Sequence, residues 1–280
     1  MQGKVVVITG ATSGIGEVAA DRLAQKGARI VFVARDRERG EATRKHLRAI
    51  ASQTDHTVHY ADLMKLSEQK RVAKAIADSE PQIDVLINNA GAMFTSRHMT
   101  EDGLEKTFAL NHMSYFTMTN ILLDRLKATP GARIVSTASD AHKGAKLNFD
   151  DLQSEKSYSG FGVYGRSKLM NILFTRELAK RLAGTGVTAN CLHPGFVGTR
   201  FGDESGGMMS WIIKLGKNFA LTPEQGAETI IYLASSDNVA GKTGGYYHKK
   251  NLATPTKEAQ NDADAKKLWD VSAKISGVGF

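Results

Sequence analysis

The stretch that most narrows the folds open to this chain lies at its beginning: an apolar run, a glycine-rich turn and a helical pattern, in that order. Lys4-Val5-Val6-Val7-Ile8 is rich in β-branched residues and shows no polar alternation, so it reads as a strand buried on both faces, as in a parallel sheet. Thr9-Gly10-Ala11-Thr12-Ser13-Gly14-Ile15-Gly16 follows, and a helical pattern then runs to about Lys26. Glycines at 10, 14 and 16 let the backbone turn sharply and approach a phosphate closely. The helix start then offers free N–H groups and a positive dipole end. The spacing is G-x-x-x-G-x-G rather than the common G-x-G-x-x-G, and a plain connection would use glycine as well. Its place between a first strand and a helix points to a dinucleotide.

The same unit recurs. Arg29–Ala34, Thr57–Tyr60, Ile83–Ile87, Ala132–Thr137 and Val187–Leu192 read as buried strands, and Gly244–Tyr247 as a last short one. Helical patterns lie between them, over 37–52, 66–79, 104–126, the stretch around Tyr164 to about Ala183, and 223–235. Such alternation predicts an α/β fold, a Rossmann-like doubly wound parallel sheet of about seven strands with helices on both faces. Right-handed crossovers then bring the strand ends at 8–10, 34–36, 60–62, 88–91, 136–139 and 193–195 to one edge.

The residues at that edge carry the chemistry. In NAD-binding units an acidic residue near the end of the second strand grips the ribose 2′-OH. Here Ala34 is followed by Arg35, which suits a 2′-phosphate and favours NADP(H) over NAD(H). Asp36 comes next, which keeps a turn of mixed charge open as the other reading. Asp62 fits either a bound base or the start of a turn. Ala90 and Gly91 leave room for a ligand, and Asn88 and Asn89 can tie strand ends together. Asn111 falls inside a helical pattern, where by itself it reads as a satisfied core amide. Ser139 closes the fifth strand and faces the crevice. Tyr164 and Lys168 are four residues apart on one helix face, where an ammonium lowers a phenol's pKa and lets the pair pass a proton, although standing alone such a pair reads as an ordinary exposed helix surface.

Composition bounds the rest. The 280 residues hold no long Pro/Ser/Gly linker, so one domain is expected over 1–255, with a glycine-hinged apolar segment at 196–221 that reads equally as a substrate flap or a short core helix, and a charged tail at 256–280 packed on the domain or extending from it. No apolar run reaches the roughly 18 residues of a membrane span, and the start shows no signal-peptide pattern. Cys191 is the single cysteine, so no internal disulfide forms, which suits the cytoplasm. The net charge of +8 is spread among acids apart from Arg35, Arg37, Arg39, Arg44, Lys45 and Arg48, and no nucleic-acid module surrounds these. No metal-ligand spacing is present.

Taken together, Thr9-Gly10, Gly14-Ile15-Gly16, Asp62, Asn88-Asn89-Ala90-Gly91, Asn111, Ser139, Tyr164-x-x-x-Lys168 and Pro194-Gly195 resemble the short-chain dehydrogenases/reductases over almost the full chain. Asn148–Leu152, Tyr164–Asn171, Leu173–Leu178, Gly184–Thr188 and Gly245–Tyr247 are similar to the retinol dehydrogenase-like branch. Two departures stand out. Relatives in that branch often carry an N-terminal membrane segment and this sequence starts in a strand, which favours a soluble reductase of bacterial type. Ala138 also replaces the first serine of the usual pair.

The resemblance implies a tetrad. Tyr164 is the acid/base, Lys168 lowers its pKa and binds the nicotinamide ribose, Ser139 holds the substrate oxygen, and Asn111 places a proton-relaying water. It also implies that Gly10, Thr12, Ser13, Gly14, Ile15 and Gly16 cradle the pyrophosphate. Asp62 and Leu63 edge the adenine, Asn89 with Ala90 and Gly91 lines the ribose side, and Pro194, Gly195, Val197 and Thr199 lie by the carboxamide. The expected substrate is a small apolar alcohol or carbonyl. Many relatives form homodimers or homotetramers through the helices carrying Asn111 and Tyr164. A non-catalytic NADP(H) sensor and a reductase of carbon–carbon double bonds are the alternatives.

Overall fold

The computed structural model describes residues 1–197 and 221–280. Eight strands form one sheet: β1 (Val5–Thr9), β2 (Arg29–Ala34), β3 (Thr57–Tyr60), β4 (Val85–Asn88), β5 (Arg133–Thr137), β6 (Thr188–His193), β7 (Tyr246–His248) and β8 (Asn251–Ala253). Their spatial order is β3-β2-β1-β4-β5-β6-β7-β8. Every pairing is parallel except β7–β8, which is antiparallel. The order reverses between β1 and β4, so a crevice opens there beyond the carboxyl ends of the strands.

The sheet has one more strand than expected. β8 returns along β7 through Lys249 and Lys250, both in the left-handed region at φ 48° and 66°. A tight hairpin needs that conformation, and glycine or asparagine usually supplies it. Two lysines there hide the turn from the sequence.

The parallel strands are buried on both faces because helices cover both. Val6, Ile8, Ile30, Phe32 and Ile87 pack with α1 (Gly14–Gln25), α2 (Arg37–Ile50) and α7 (Pro223–Ser235). Val7, Val31, Val33, Leu86 and Ile134 face the other way, onto α3 (Leu66–Ser79), α5 (Ser114–Lys127) and α6 (Gly160–Arg181). Alternate residues of one β-branched run thus serve two cores.

The helix ahead of α5 is not uniform. A short α4 (Lys106–Phe108) passes into a π-turn at Ala109–Met113 and then into α5. The Ser114 N–H reaches back to the Ala109 carbonyl, and the Ser114 hydroxyl donates to the bypassed Leu110 carbonyl at 2.5 Å. Such one-residue bulges concentrate at functional sites.

The tail does not hang free. Asn261 caps α8 (Asp262–Ser276) by accepting from the Ala263 and Asp264 N–H groups, and Gly277 ends it at φ 68°. Trp269 of α8 stacks on Phe174 of α6 at 5.8 Å and meets Phe116 of α5 edge-on at 4.9 Å. Asp262 pairs with Arg176 and Lys180. The helices carrying Asn111 and Tyr164 thus each give one aromatic residue, Phe116 and Phe174, to the packing of α8.

Within this layer His112 is fully buried, and burial depresses its pKa to about 3, so it is neutral. Its Nε2 lies 2.8 Å from the Ser272 hydroxyl, which itself donates to the Leu268 carbonyl. Ser272→Ala is expected to cost about 1–3 kcal/mol in urea unfolding, the penalty for leaving a buried donor unmet.

Candidate active site

The glycine turn meets the sheet edge at the switch point. Gly10 sits at φ 73°, and a Cβ there would come within 2.9 Å of Ala90 Cα. A Cβ on Gly16 would lie 2.1 Å from the Gly10 carbonyl oxygen, so only glycine lets α1 start this close to the turn. Gly14 is also left-handed at φ 61°. Ser13 is the N-cap of α1 yet its side chain makes no capping hydrogen bond. The opening N–H groups of α1 thus have no side-chain cap, and they face the crevice with the positive end of the helix dipole. That fits the pyrophosphate of a dinucleotide.

Arginine guards one side of the turn. Arg35 is exposed at the end of β2. Arg39, in the first turn of α2, reaches across to donate from Nη2 to the Thr12 carbonyl at 3.1 Å. This residue was hidden in the sequence by its arginine-rich neighbourhood. Only the distance between α2 and the glycine turn singles it out.

The neighbouring strand ends are stitched by polar side chains. The Thr9 hydroxyl accepts from the Asn89 and Ala90 N–H groups at 3.0 and 3.1 Å. Asn89 Nδ2 donates to the Thr9 and Gly10 carbonyls, and its Oδ1 accepts from the Thr137 hydroxyl. Asn89 therefore holds the ends of β1, β4 and β5 in register. Asp62 Oδ1 accepts from the Met64 N–H, so one of its oxygens serves the turn, and Leu63 is buried beside it.

On the far side, Gly195 stands at φ 89° after Pro194. Val197 and Ile15 converge over Gly226, where a Cβ would lie within 2.6 Å of the former and 2.8 Å of the latter. Val197 is thereby set against the glycine turn. Thr199 and most of the expected flap fall outside the described residues. The two described ends of that segment meet, with the Leu221 N–H donating to the Phe196 carbonyl at 2.7 Å.

Asn111, Ser139, Tyr164 and Lys168 come together around Gly91 and the end of β5. Asn111 is fully buried. Its Oδ1 accepts from the Ala92 N–H, and its Nδ2 donates to the Ala92 carbonyl and the Ser167 hydroxyl. The amide is spent on protein groups, as expected of a satisfied core asparagine. A Cβ on Gly91 would lie 3.2 Å from Asn111 Oδ1 and 3.4 Å from Lys168 Nζ, so glycine keeps that corner open. Lys168, 3% exposed, donates from Nζ to the Thr137 carbonyl at 3.1 Å. Ser139 Oγ accepts from the Ala141 N–H at 3.1 Å and lies beside the Tyr164 phenol, whose pKa it lowers.

The electrostatics differ from the sequence expectation. Burial pushes the Tyr164 phenol up to about 12, and Ser139 opposes this. Burial also pulls Lys168 down to about 7. Lys168 Nζ stands 5.5 Å from the Tyr164 ring centre. Desolvation governs both groups, because each charged form loses its water. At neutral pH the phenol is protonated and the amine is divided between its two forms.

A family model described as short chain dehydrogenase matches residues 4–209. The chain belongs to the short-chain dehydrogenase family. Retinol dehydrogenase 14 from Mus musculus is 41% identical over 297 residues, covering 99% of this chain and 87% of that protein. Retinol dehydrogenase 11 from Homo sapiens is 38% identical over 278 residues, with 99% and 87% covered. These matches put this short-chain dehydrogenase in the retinol dehydrogenase-like branch, as an oxidoreductase of a family that binds NAD(P). Among solved structures, an uncharacterised protein from Mycobacterium paratuberculosis superposes with a TM-score of 0.80 at 32% identity, over 100% of this chain and 95% of that one. The RhlG/NADP complex from Pseudomonas aeruginosa gives 0.69 at 27% identity, over 88% and 94%. Among the described residues of this short-chain dehydrogenase, no helix is long and apolar enough to cross a membrane, and no group of three or more His, Cys, Asp or Glu could hold a metal ion.

Proposed function

We propose that the protein interconverts an apolar alcohol and its aldehyde or ketone with NADP(H), using Tyr164 as the acid/base. The observation that carries this is the buried Tyr164 phenol, with Ser139 beside it lowering its pKa and the buried Lys168 one helix turn on. NADP(H) would bind along the glycine turn, with Arg35 and Arg39 at its 2′-phosphate, and supplies or accepts the hydride. Ser139 orients the substrate oxygen and stabilises charge developing on it. Tyr164 gives its proton to that oxygen. A phenol at about 12 is wholly protonated at neutral pH, the state that donates, which supports reduction as the ready direction. Lys168 Nζ is anchored on the Thr137 carbonyl, from where its charge favours the phenolate as the proton leaves. Asn111, wedged between Ala92 and Ser167, fixes the wall beside it and would hold the relaying water by its backbone.

The names of the relatives support an apolar alcohol as the reduced partner, and the NADP complex of RhlG supports the phosphorylated cofactor. The buried thiol of Cys191 suits a reducing, cytoplasmic setting. The test is NADPH oxidation, followed by absorbance, against hydrophobic aldehydes and ketones including retinal, with NADH in parallel. Replacing Arg35 and Arg39 together by alanine is expected to raise the NADPH dissociation constant at least tenfold and the NADH one less than threefold. Equal losses would remove the 2′-phosphate assignment.

A further inference from the structure

Asp140 follows Ser139 directly, and three elements meet on it. Its Oδ1 accepts the Tyr246 hydroxyl of β7 at 3.1 Å and lies 3.5 Å from His193 Nε2 at the end of β6. Its Oδ2 takes the Lys143 ammonium at 2.9 Å. The other nitrogen of His193, Nδ1, lies 3.1 Å from the Gly195 N–H. A backbone N–H only donates, so Nδ1 is the unprotonated nitrogen and the ring proton sits on Nε2, toward Asp140. His193 is 6% exposed, and His248 stacks on its face at 4.0 Å. Burial keeps the imidazole neutral, with its pKa near 4 although Asp140 pulls it upward; His248, Lys143 and His142 act in the same sense as burial. One neutral ring in a single tautomer thus bridges the Pro194-Gly195 turn and the residue next to Ser139.

We propose that His193 is a positioning residue that pins the Pro194-Gly195 turn to the Ser139 end of β5 and so sets the width of the crevice between cofactor and substrate oxygen. Its consequences for turnover rest on the function proposed above; the pinning itself does not. The two halves of the bridge separate by substitution. Asparagine places an oxygen where Nδ1 was and keeps the Gly195 bond while losing Asp140. Glutamine places its amide near Nε2 and keeps Asp140 while losing Gly195.

The experiment compares wild type, His193→Asn and His193→Gln in the full chain. It reads hydrogen exchange at the Gly195 amide, NADPH affinity by fluorescence, thermal midpoint, and kcat and KM with retinal or the best aldehyde of the panel. His193→Gln is expected to speed Gly195 exchange at least tenfold and weaken NADPH about tenfold. His193→Asn should leave both within threefold yet lower kcat about tenfold at unchanged KM. Unchanged Gly195 exchange in His193→Gln would overturn the proposal. So would parallel losses of exchange protection, affinity and kcat in both variants, tracking the thermal midpoint. If wild type turns over no carbonyl while the exchange contrast holds, the functional reading fails and the pinning stands.

Discussion

Tyr164→Phe is expected to lower kcat by about 10²–10⁴-fold, the range a positioned proton donor contributes, while NADPH binds within threefold of wild type. The ring stays, so packing against Lys168 survives. Only the hydroxyl goes, and Ser139 keeps its bond from the Ala141 N–H. The thermal midpoint should therefore move little. Stopped-flow single turnovers with NADPH and an aldehyde of the panel check this directly, because they isolate the chemical step from product release. A variant that turns over near the wild-type rate would take the proton transfer away from Tyr164.

Lys168→Met should separate stability from activity. An unfolded lysine titrates near 10.4, whereas burial holds Lys168 at about 7 in the folded protein. Between those values the unfolded chain binds the extra proton, so wild-type stability rises as pH climbs from about 7 to 10.4. Below about pH 7 the full penalty is present. Methionine fills the same space without it, and the Thr137 carbonyl keeps a partner in Asn171 Nδ2 at 3.2 Å.

The ligand-free variant is expected to be more stable than wild type by on the order of 2 kcal/mol at pH 7 and by almost nothing above about pH 10. Turnover at pH 7 should fall at least about a hundredfold. Urea unfolding at a series of pH values, beside kcat, measures both. A pH-independent stability difference would show that Lys168 is not desolvated as described.

Much of the architecture was written plainly in the residues. Runs such as Val5-Val6-Val7-Ile8 and Arg29–Ala34 are β-branched and unbroken because they are buried on both faces, as a covered parallel sheet requires. The crossover rule sends 8–10, 88–91, 136–139 and 193–195 to one edge, so the strand-end candidates group together in the sequence, whereas Asn111, Tyr164 and Lys168 reach that edge from helices. Other features depend on distance rather than pattern. Arg39 looks like its arginine neighbours until α2 is laid beside Thr12. The Lys249-Lys250 turn uses residues that do not favour its conformation. The packing of α8 is diluted by Ser272 and Ser276, which are buried because they are bonded along the helix. The pKa order of Tyr164 and Lys168 is set by burial, and spacing along a helix does not reveal how much water is lost.

The widened turn at Ala109–Met113 gives the helix through Asn111 two phases of one repeat. Asn111 is timed to Ala92 and Ser167, while His112 and Phe116 are timed to Phe174. A helix advances about 100° per residue. Deleting any one residue between 109 and 113 would let the bulge relax to a uniform repeat, leaving the flanking turns in phase and re-aiming the side chains of the bulge itself. Insertion and deletion, tolerated where chain merely connects, here rewrite which side chain meets the crevice. In this short span the protein depends on counting as much as on composition: five residues, whatever most of them are, keep the asparagine and the aromatic layer pointing to different places.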